Sequence, residues 1–382
     1  MNSDEYRDIS PYFGEDLYAA IARLKENKGF IKSAAEMVFT DHFNLVSSVK
    51  KKALQHNLNE ALDTVHTIED FQANITSDIM IEAVLKNTTG GFTYEGLEHI
   101  AKHKAYFFFS NHRDIVLDCA LLNYVLGKED YGFTEIAIGD NLLVSQLSKD
   151  LFKLNGGVTV KRSLPLREKF AESKRLSSYF YDTIAKTNKS MWVAQKSGRA
   201  KDGIDITNPS IIKMLYLSQK DSGMKFRQLL ETCPIVPVAI SYQYDPCDIN
   251  KGREELSRKL KGFYSKKKYE DMINVLRGIK KQKGRVHLYV GEPISPDLPD
   301  PKAVAAEIDR QIHLGYRLWD TNYIAFEEVT GDSRFSGMFS DEQKEYFFSR
   351  YKDLSEHLRS FVMHAYANPV KMQLKAKGEW DE

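Results

Sequence analysis

Between residues 105 and 290 the chain alternates short, densely apolar runs with longer stretches of helical spacing, and few architectures can absorb that order. The apolar runs fall at 105–109, 133–138, 157–161, 190–194, 234–242 and 286–290. Helical stretches separate them at 115–126, 140–153, 165–186 and 209–219. Strand–helix alternation of this kind specifies an α/β domain with a mixed, largely parallel sheet flanked by helices. Ligand sites in such sheets lie beyond the carboxyl ends of strands. Residues 301–320 and 341–364 read as two further helices that close the domain.

The first 88 residues read differently. Leu17, Ile21 and Leu24 recur at helical spacing, as do Ile68, Phe71, Ile75, Ile79 and Ile81 with small slips. Proline is absent between Pro11 and Pro165, and composition breaks at Asn87-Thr88-Thr89-Gly90-Gly91. The expected organisation is an N-terminal helical bundle over 1–88 and an α/β domain with C-terminal helices over 89–382.

Bulk properties exclude several classes. A formal net charge of +1 over 382 residues gives no global case for nucleic acid. Three cysteines, Cys119, Cys233 and Cys247, lack metal-site spacing, which argues against a disulfide framework or structural zinc and for a reducing compartment. The polar start Met1-Asn2-Ser3-Asp4-Glu5 is not a signal peptide, and no window holds the roughly 18 apolar residues of a membrane span. The expected location is cytoplasmic, with any contact to lipid made from the membrane surface.

The residue types that carry chemistry follow the strands. His112 comes just after the run Ala105-Tyr106-Phe107-Phe108-Phe109, and Asp114 and Asp118 follow it, an arrangement suited to a general base held by an acid. Gly156 to Arg162 is a glycine-led strand ending in Lys161 and Arg162. The strand at Trp192 runs into Lys196-Ser197-Gly198-Arg199-Ala200-Lys201. Cys233-Pro234-Ile235-Val236-Pro237-Val238 is a strand opened by prolines. Each has a plain alternative: a strand-to-helix link, a solvated strand end, a surface turn, and an edge strand. The plain readings do not explain the order.

In order and content these blocks resemble the glycerolipid acyltransferases over roughly residues 95–295. The resemblance rests on His112 with a downstream Asp, on Gly156 to Arg162, on the Ser-Gly-Arg loop, and on Pro234-Ile235-Val236-Pro237-Val238. The helical N-terminus resembles, more loosely, the soluble plastid-type glycerol-3-phosphate acyltransferases. Two departures stand out. The family places its Asp five positions after the His, where this chain has Leu117; the acid is Asp118, one further on, followed by Cys119-Ala120-Leu121-Leu122 as the family's helix continues. A bulge or tight first turn would absorb the extra residue. Lys196 or Ser197 stands where many members carry Glu, closer to the Ser-Gly-Gly-Arg variant.

The resemblance implies acyl transfer from coenzyme A or acyl carrier protein to a hydroxyl of glycerol-3-phosphate or 1-acylglycerol-3-phosphate. No cofactor beyond that co-substrate is implied. His112 would be the base and Asp118 its partner; Lys161, Arg162, Lys196, Ser197, Gly198 and Arg199 would bind substrate. Two other functions compete: acylation of an amino-acid lipid, and an inactive lipid- or carrier-binding module. Residues 251–285 add a local feature, thirteen Lys or Arg against four acids, for a net +9. That segment reads as a solvated helical face, a dock for an anionic membrane, or a dock for an acidic carrier protein.

Overall fold

The computed structural model describes residues 3–39 and 48–380, so the helical expectation for 1–2 and 40–47 lies outside the described residues. Seven strands form one sheet: β1 (Gly91–Glu95), β2 (Phe107–Ser110), β3 (Thr134–Gly139), β4 (Gly157–Val160), β5 (Ser190–Ala194), β6 (Ile235–Tyr242) and β7 (Arg285–Val290). Their spatial order is β1-β7-β6-β2-β5-β3-β4. Every neighbouring pair is parallel except β6 with β7, which gives the mixed, largely parallel sheet flanked by helices that the alternation specified. Sequence reading missed β1. It is an edge strand with four of five residues exposed, so it carries no apolar run.

β2 shows how the sheet is filled. Phe107 and Phe109 enter one core with Met191, Val193 and Ile235, while Phe108 enters the opposite core with Trp192, Val236 and Val238. The period of two sends alternate side chains to opposite faces, and both faces are covered. Each fully buried Phe contributes about 1.5–3 kcal/mol of transfer free energy.

β6 lies inside the sheet, between β2 and β7, so the edge reading of its prolines is wrong. Its ladder with β7 begins at Val238. Before that point the chain leaving β7 donates to β6 carbonyls, Gly291 N–H to Pro237 O at 2.8 Å and Ile294 N–H to Ile235 O at 2.8 Å. The strand's proline carbonyl is used on that side and the missing N–H is not needed.

Two expected helices are each divided. The 301–320 stretch is a helix Pro301–Gly315, a break, and a second helix Asp320–Thr330. The Tyr289 ring fills the space beside Gly315, and Asn322 Oδ1 accepts from Trp319 N–H at 2.9 Å to start the next helix. The 341–364 stretch divides into Asp341–Ser349 and Glu356–Lys377, the latter capped by Ser355. Side-chain capping overrides continuous apolar spacing in both places.

The N-terminal helices Gly14–Glu26, Lys28–Phe39, Ser48–Asp63 and the run Ile68–Thr88 share a core that includes Leu17, Leu24, Leu58 and Phe71. Leu154, from the helix Gln146–Leu154 of the sheet region, belongs to the same core. Arg23 grips both oxygens of the buried Asp150 on that helix, at 2.8 and 2.7 Å. Residues Phe71–Ile81 are π-helical, and this wider turn accounts for the slips in the isoleucine spacing.

Candidate active site

The carboxyl ends of β2, β5 and β6 lie side by side, because β2 is parallel to both neighbours. Just past β2, Asn111 is fully buried. Its Oδ1 accepts from Ile240 N–H at 2.8 Å, and its Nδ2 donates to Ile240 O at 3.0 Å and to Asp205 at 3.2 Å. This clamp between β2 and β6 fixes where the next residue, His112, begins.

Two carboxylates then shape the turn. Asp114 Oδ1 accepts from the N–H groups of Val116 and Leu117, both at 3.0 Å, opening the helix Leu117–Lys128. Asp118, already inside that helix, reaches back. Its Oδ2 accepts from Arg113 N–H at 2.7 Å and Asp114 N–H at 2.9 Å, and lies 2.9 Å from His112 Nδ1. Its Oδ1 accepts from the Tyr242 hydroxyl at 2.8 Å. The extra residue between His and Asp is thus absorbed in a tight turn, and Asp118 rather than Asp114 meets the imidazole.

The partners of Asp118 set the state of the ring. Burial, then the Asp118 and Asp114 charges, push the Tyr242 phenol well above its ordinary range, so it stays a donor. With two amides and a phenol donating to an acceptor-only carboxylate, the network assigns the His112 proton to Nδ1 and leaves Nε2 with a lone pair. The Trp192 ring meets the imidazole edge to face at 5.5 Å, limiting its rotation.

Tyr242 carried no signal in the sequence beyond its place at the end of an apolar strand. Tyr242→Phe removes one donor from a buried carboxylate, a loss of about 1.5–3 kcal/mol for a bond to a charged group. The expected outcome is a lower urea midpoint with a reduced kcat and an unchanged KM. Urea melts and steady-state kinetics would check both.

Asp114 has another surrounding. Its Oδ2 is buried without a partner, and burial together with the nearby Asp118 raises its carboxyl above the usual range. A Cβ at Gly278 would stand 2.2 Å from that oxygen, so the helix Glu270–Lys280 approaches the turn as closely as it does only because residue 278 is glycine. Sequence reading did not single out Gly278.

Beside His112 lies a cavity of about 480 Å³. Its walls are mainly apolar, among them Met80, Val116, Ile138, Leu147, Met272 and Val275. The π-helical stretch, β3 and the helix Glu270–Lys280 therefore enclose it together. The volume falls within the ~300–1,000 Å³ of small-molecule sites, and the apolar lining suits a hydrocarbon chain.

The expected substrate-binding residues separate into two groups. Arg162 and Gly198 line the cavity together with the expected base His112, and the Arg162 side chain is exposed. Lys161 is drawn away into ion pairs with Asp8 at 2.6 Å and Glu172 at 3.4 Å. Lys196 donates to Ile204 O at 2.8 Å, and Ser197 is exposed. Arg199 is buried among Asp114, Asp245 and Cys247, with its Nη1 lacking a hydrogen-bond partner. The loop still serves the base: Ala200 N–H donates to His112 O at 2.8 Å, and Gly198 takes φ of +81°. Arg113, unremarked in the sequence, is buried against Asp205 at 2.6 Å and lies over the Tyr316 ring. Among the described residues no group of His, Cys, Asp and Glu is placed to hold a metal ion.

Residues 91–241, from the start of β1 to the penultimate residue of β6, match the acyltransferase family model. That match spans 151 of the 382 residues. The matched residues contain His112 and Asp118, whereas Tyr242, one residue past their end, and the helix Glu270–Lys280 that completes the cavity lie outside them. Among solved structures, the chain is similar to the 1-acyl-sn-glycerophosphate acyltransferase PlsC from Thermotoga maritima. The identity is 15% and the TM-score 0.37, covering 78% of this chain and 92% of that chain. No curated protein matches the chain in sequence.

Proposed function

We propose that this acyltransferase moves a fatty acyl group from a thioester, acyl-coenzyme A or acyl carrier protein, to a hydroxyl of glycerol-3-phosphate or 1-acylglycerol-3-phosphate in phospholipid synthesis. The observation that carries the reading is His112, paired through Nδ1 with Asp118 at 2.9 Å, on the wall of an apolar cavity. Nε2 takes the proton of the acceptor hydroxyl as its oxygen attacks the thioester carbonyl. The carbon–sulfur bond breaks, the imidazolium returns the proton to the leaving thiolate, and the products are an ester and a free thiol. Asp118 holds the imidazole in the required tautomer and stabilises the imidazolium. The thioester is already activated, so the step calls for no covalent enzyme intermediate and no resident cofactor.

The apolar cavity suits the acyl chain, and Arg162 at its mouth suits a phosphate, which a guanidinium can bind through two hydrogen bonds. Arg162→Ala should raise KM for a phosphate-bearing acceptor at least tenfold with little change in kcat. Thiol release measured against acceptor concentration checks this, and an unchanged KM would remove phosphate from the acceptor's description. A second reading, transfer to an amino-acid lipid, draws support from one observation: Lys161, Lys196 and Arg199 are engaged elsewhere, which leaves Arg162 as the one cation of the expected set that lines the cavity. Thiol release that needs an added acceptor, compared across glycerol-3-phosphate, its 1-acyl derivative and an amino-acid lipid, tests the two readings together.

A further inference from the structure

The four most exposed large apolar side chains of the described residues are Leu166 at 84%, Leu260 at 70%, Phe170 at 65% and Phe263 at 64%. They fall in two segments that each lead to or from the cavity mouth. Leu166 and Phe170 form one face of the first turn of the helix Leu166–Ala185, four residues after Arg162. Leu260 and Phe263 sit at the tip of the helix Asp248–Lys261, in the stretch that runs on to the cavity-lining Tyr269.

The helix Glu270–Lys280 follows Leu260 and Phe263 in the chain, and its Asp271 is bonded to Asn141, whose neighbour Asp140 accepts from the N–H of Arg162, just ahead of Leu166. Asn274, Val275 and Gly278 are buried, as expected of a packed face. Ile273 and Leu276 are exposed, as is Tyr269 just before the helix, and Tyr269 and Leu276 also line the cavity. A surface helix normally turns its polar side outward; this one carries exposed apolar side chains beside the cavity. Asn141, next to the exposed Val144, donates to Asp271 at 3.1 Å, which brings the loop after β3 against the same helix.

Cations surround these side chains. Lys267 and Lys268 are exposed, with Lys268 over the Tyr269 ring, and Arg167 and Lys169 alternate with Leu166 and Phe170. The acids nearby are few and partly engaged: Asp271 pairs with Lys266, Glu270 accepts from Tyr264, and Glu168 is exposed. Apolar side chains standing in water among lysines and arginines fit one kind of surface, hydrocarbon edged by negative charge. An acidic protein would satisfy the cations but has no need of Leu166 or Phe263 at such exposure.

We propose that this face docks on an anionic membrane, with the first turn of the helix at Leu166 and the tip at Leu260–Phe263 entering the headgroup layer, so that the cavity mouth opens toward the lipid. The chain needs no spanning helix to do so, and among the described residues no helix is long and apolar enough to cross a membrane. Each basic residue near an anionic surface is worth roughly fivefold in partition.

The test is sedimentation of the full chain with vesicles of phosphatidylcholine alone or mixed with phosphatidylglycerol. The expected result is selective binding to the mixed vesicles that weakens in high salt. Two variants, Lys267→Glu with Lys268→Glu, and Leu166→Asp with Phe170→Asp, should each lower partition more than tenfold, while Met338→Asp, at an unrelated exposed site, should not. Turnover of a short-chain soluble thioester should persist in all three, confirming that they fold. His112→Ala should bind vesicles normally, so a failure of the acyl-transfer reading and a failure of docking are distinguishable. Equal binding to neutral and anionic vesicles, undiminished binding by both variants, or capture by an acidic carrier protein with no vesicle binding would each overturn the proposal.

Discussion

His112→Ala should lower kcat by ~10²–10⁴-fold while leaving the urea midpoint near that of the parent, because a positioned general base supplies that range of rate. The ring sits on the cavity wall and makes one side-chain hydrogen bond, to a carboxylate that keeps three other donors when the ring is gone. Its loss therefore removes chemistry without stranding Asp118. Acceptor-dependent thiol release measures the effect directly. A rate within threefold of the parent would mean that no proton passes through His112, and the proposed mechanism would fall.

The second large effect separates two aspartates. Asp118→Asn replaces an acceptor-only carboxylate with an amide that can still accept the Arg113 and Asp114 amides. It no longer compels the proton onto His112 Nδ1, and it cannot stabilise the imidazolium. The expected loss in kcat is again ~10²–10⁴-fold, with folding largely retained. Asp114→Asn keeps the acceptor for Val116 and Leu117, and burial beside Asp118 already disfavours a charged carboxylate at this position. Its expected effect on kcat is under tenfold. Measuring both variants under one set of conditions is decisive, since reversed magnitudes would exchange the roles of the two acids.

Much of the architecture could be read because the relevant strands are interior. Phe107–Phe109, Met191–Val193 and Ile235–Ile240 are covered on both faces, and that burial leaves unbroken apolar runs in the sequence. β1 left none, being exposed, and the helix boundaries at Gly315 and Ser349 depend on capping and on a tyrosine ring from elsewhere in the chain. The candidate site divides the same way. His112 and Asp118 are near in sequence and meet through a local turn, so a short window held both. Tyr242 with Asp118, Gly278 with Asp114, and Lys161 with Asp8 are contacts across more than a hundred residues, and no window could show them. Arg199 is a related case: a cation in a glycine loop suggests a solvent-facing side chain, and its burial comes from contacts with distant residues such as Cys247.

One feature of the sheet bears on where the domain can be cut. Among the described residues β1 pairs only with β7, so the first strand finds its neighbour nearly two hundred residues later. An excised fragment ending at Tyr242 would carry His112, Asp118 and Tyr242 yet leave β1 without a ladder and β6 with a bare flank. It would also lack the helix bearing Gly278 and so open one wall of the cavity. Minimal units for expression should therefore extend past Val290, and during synthesis the sheet can close only after that strand has emerged.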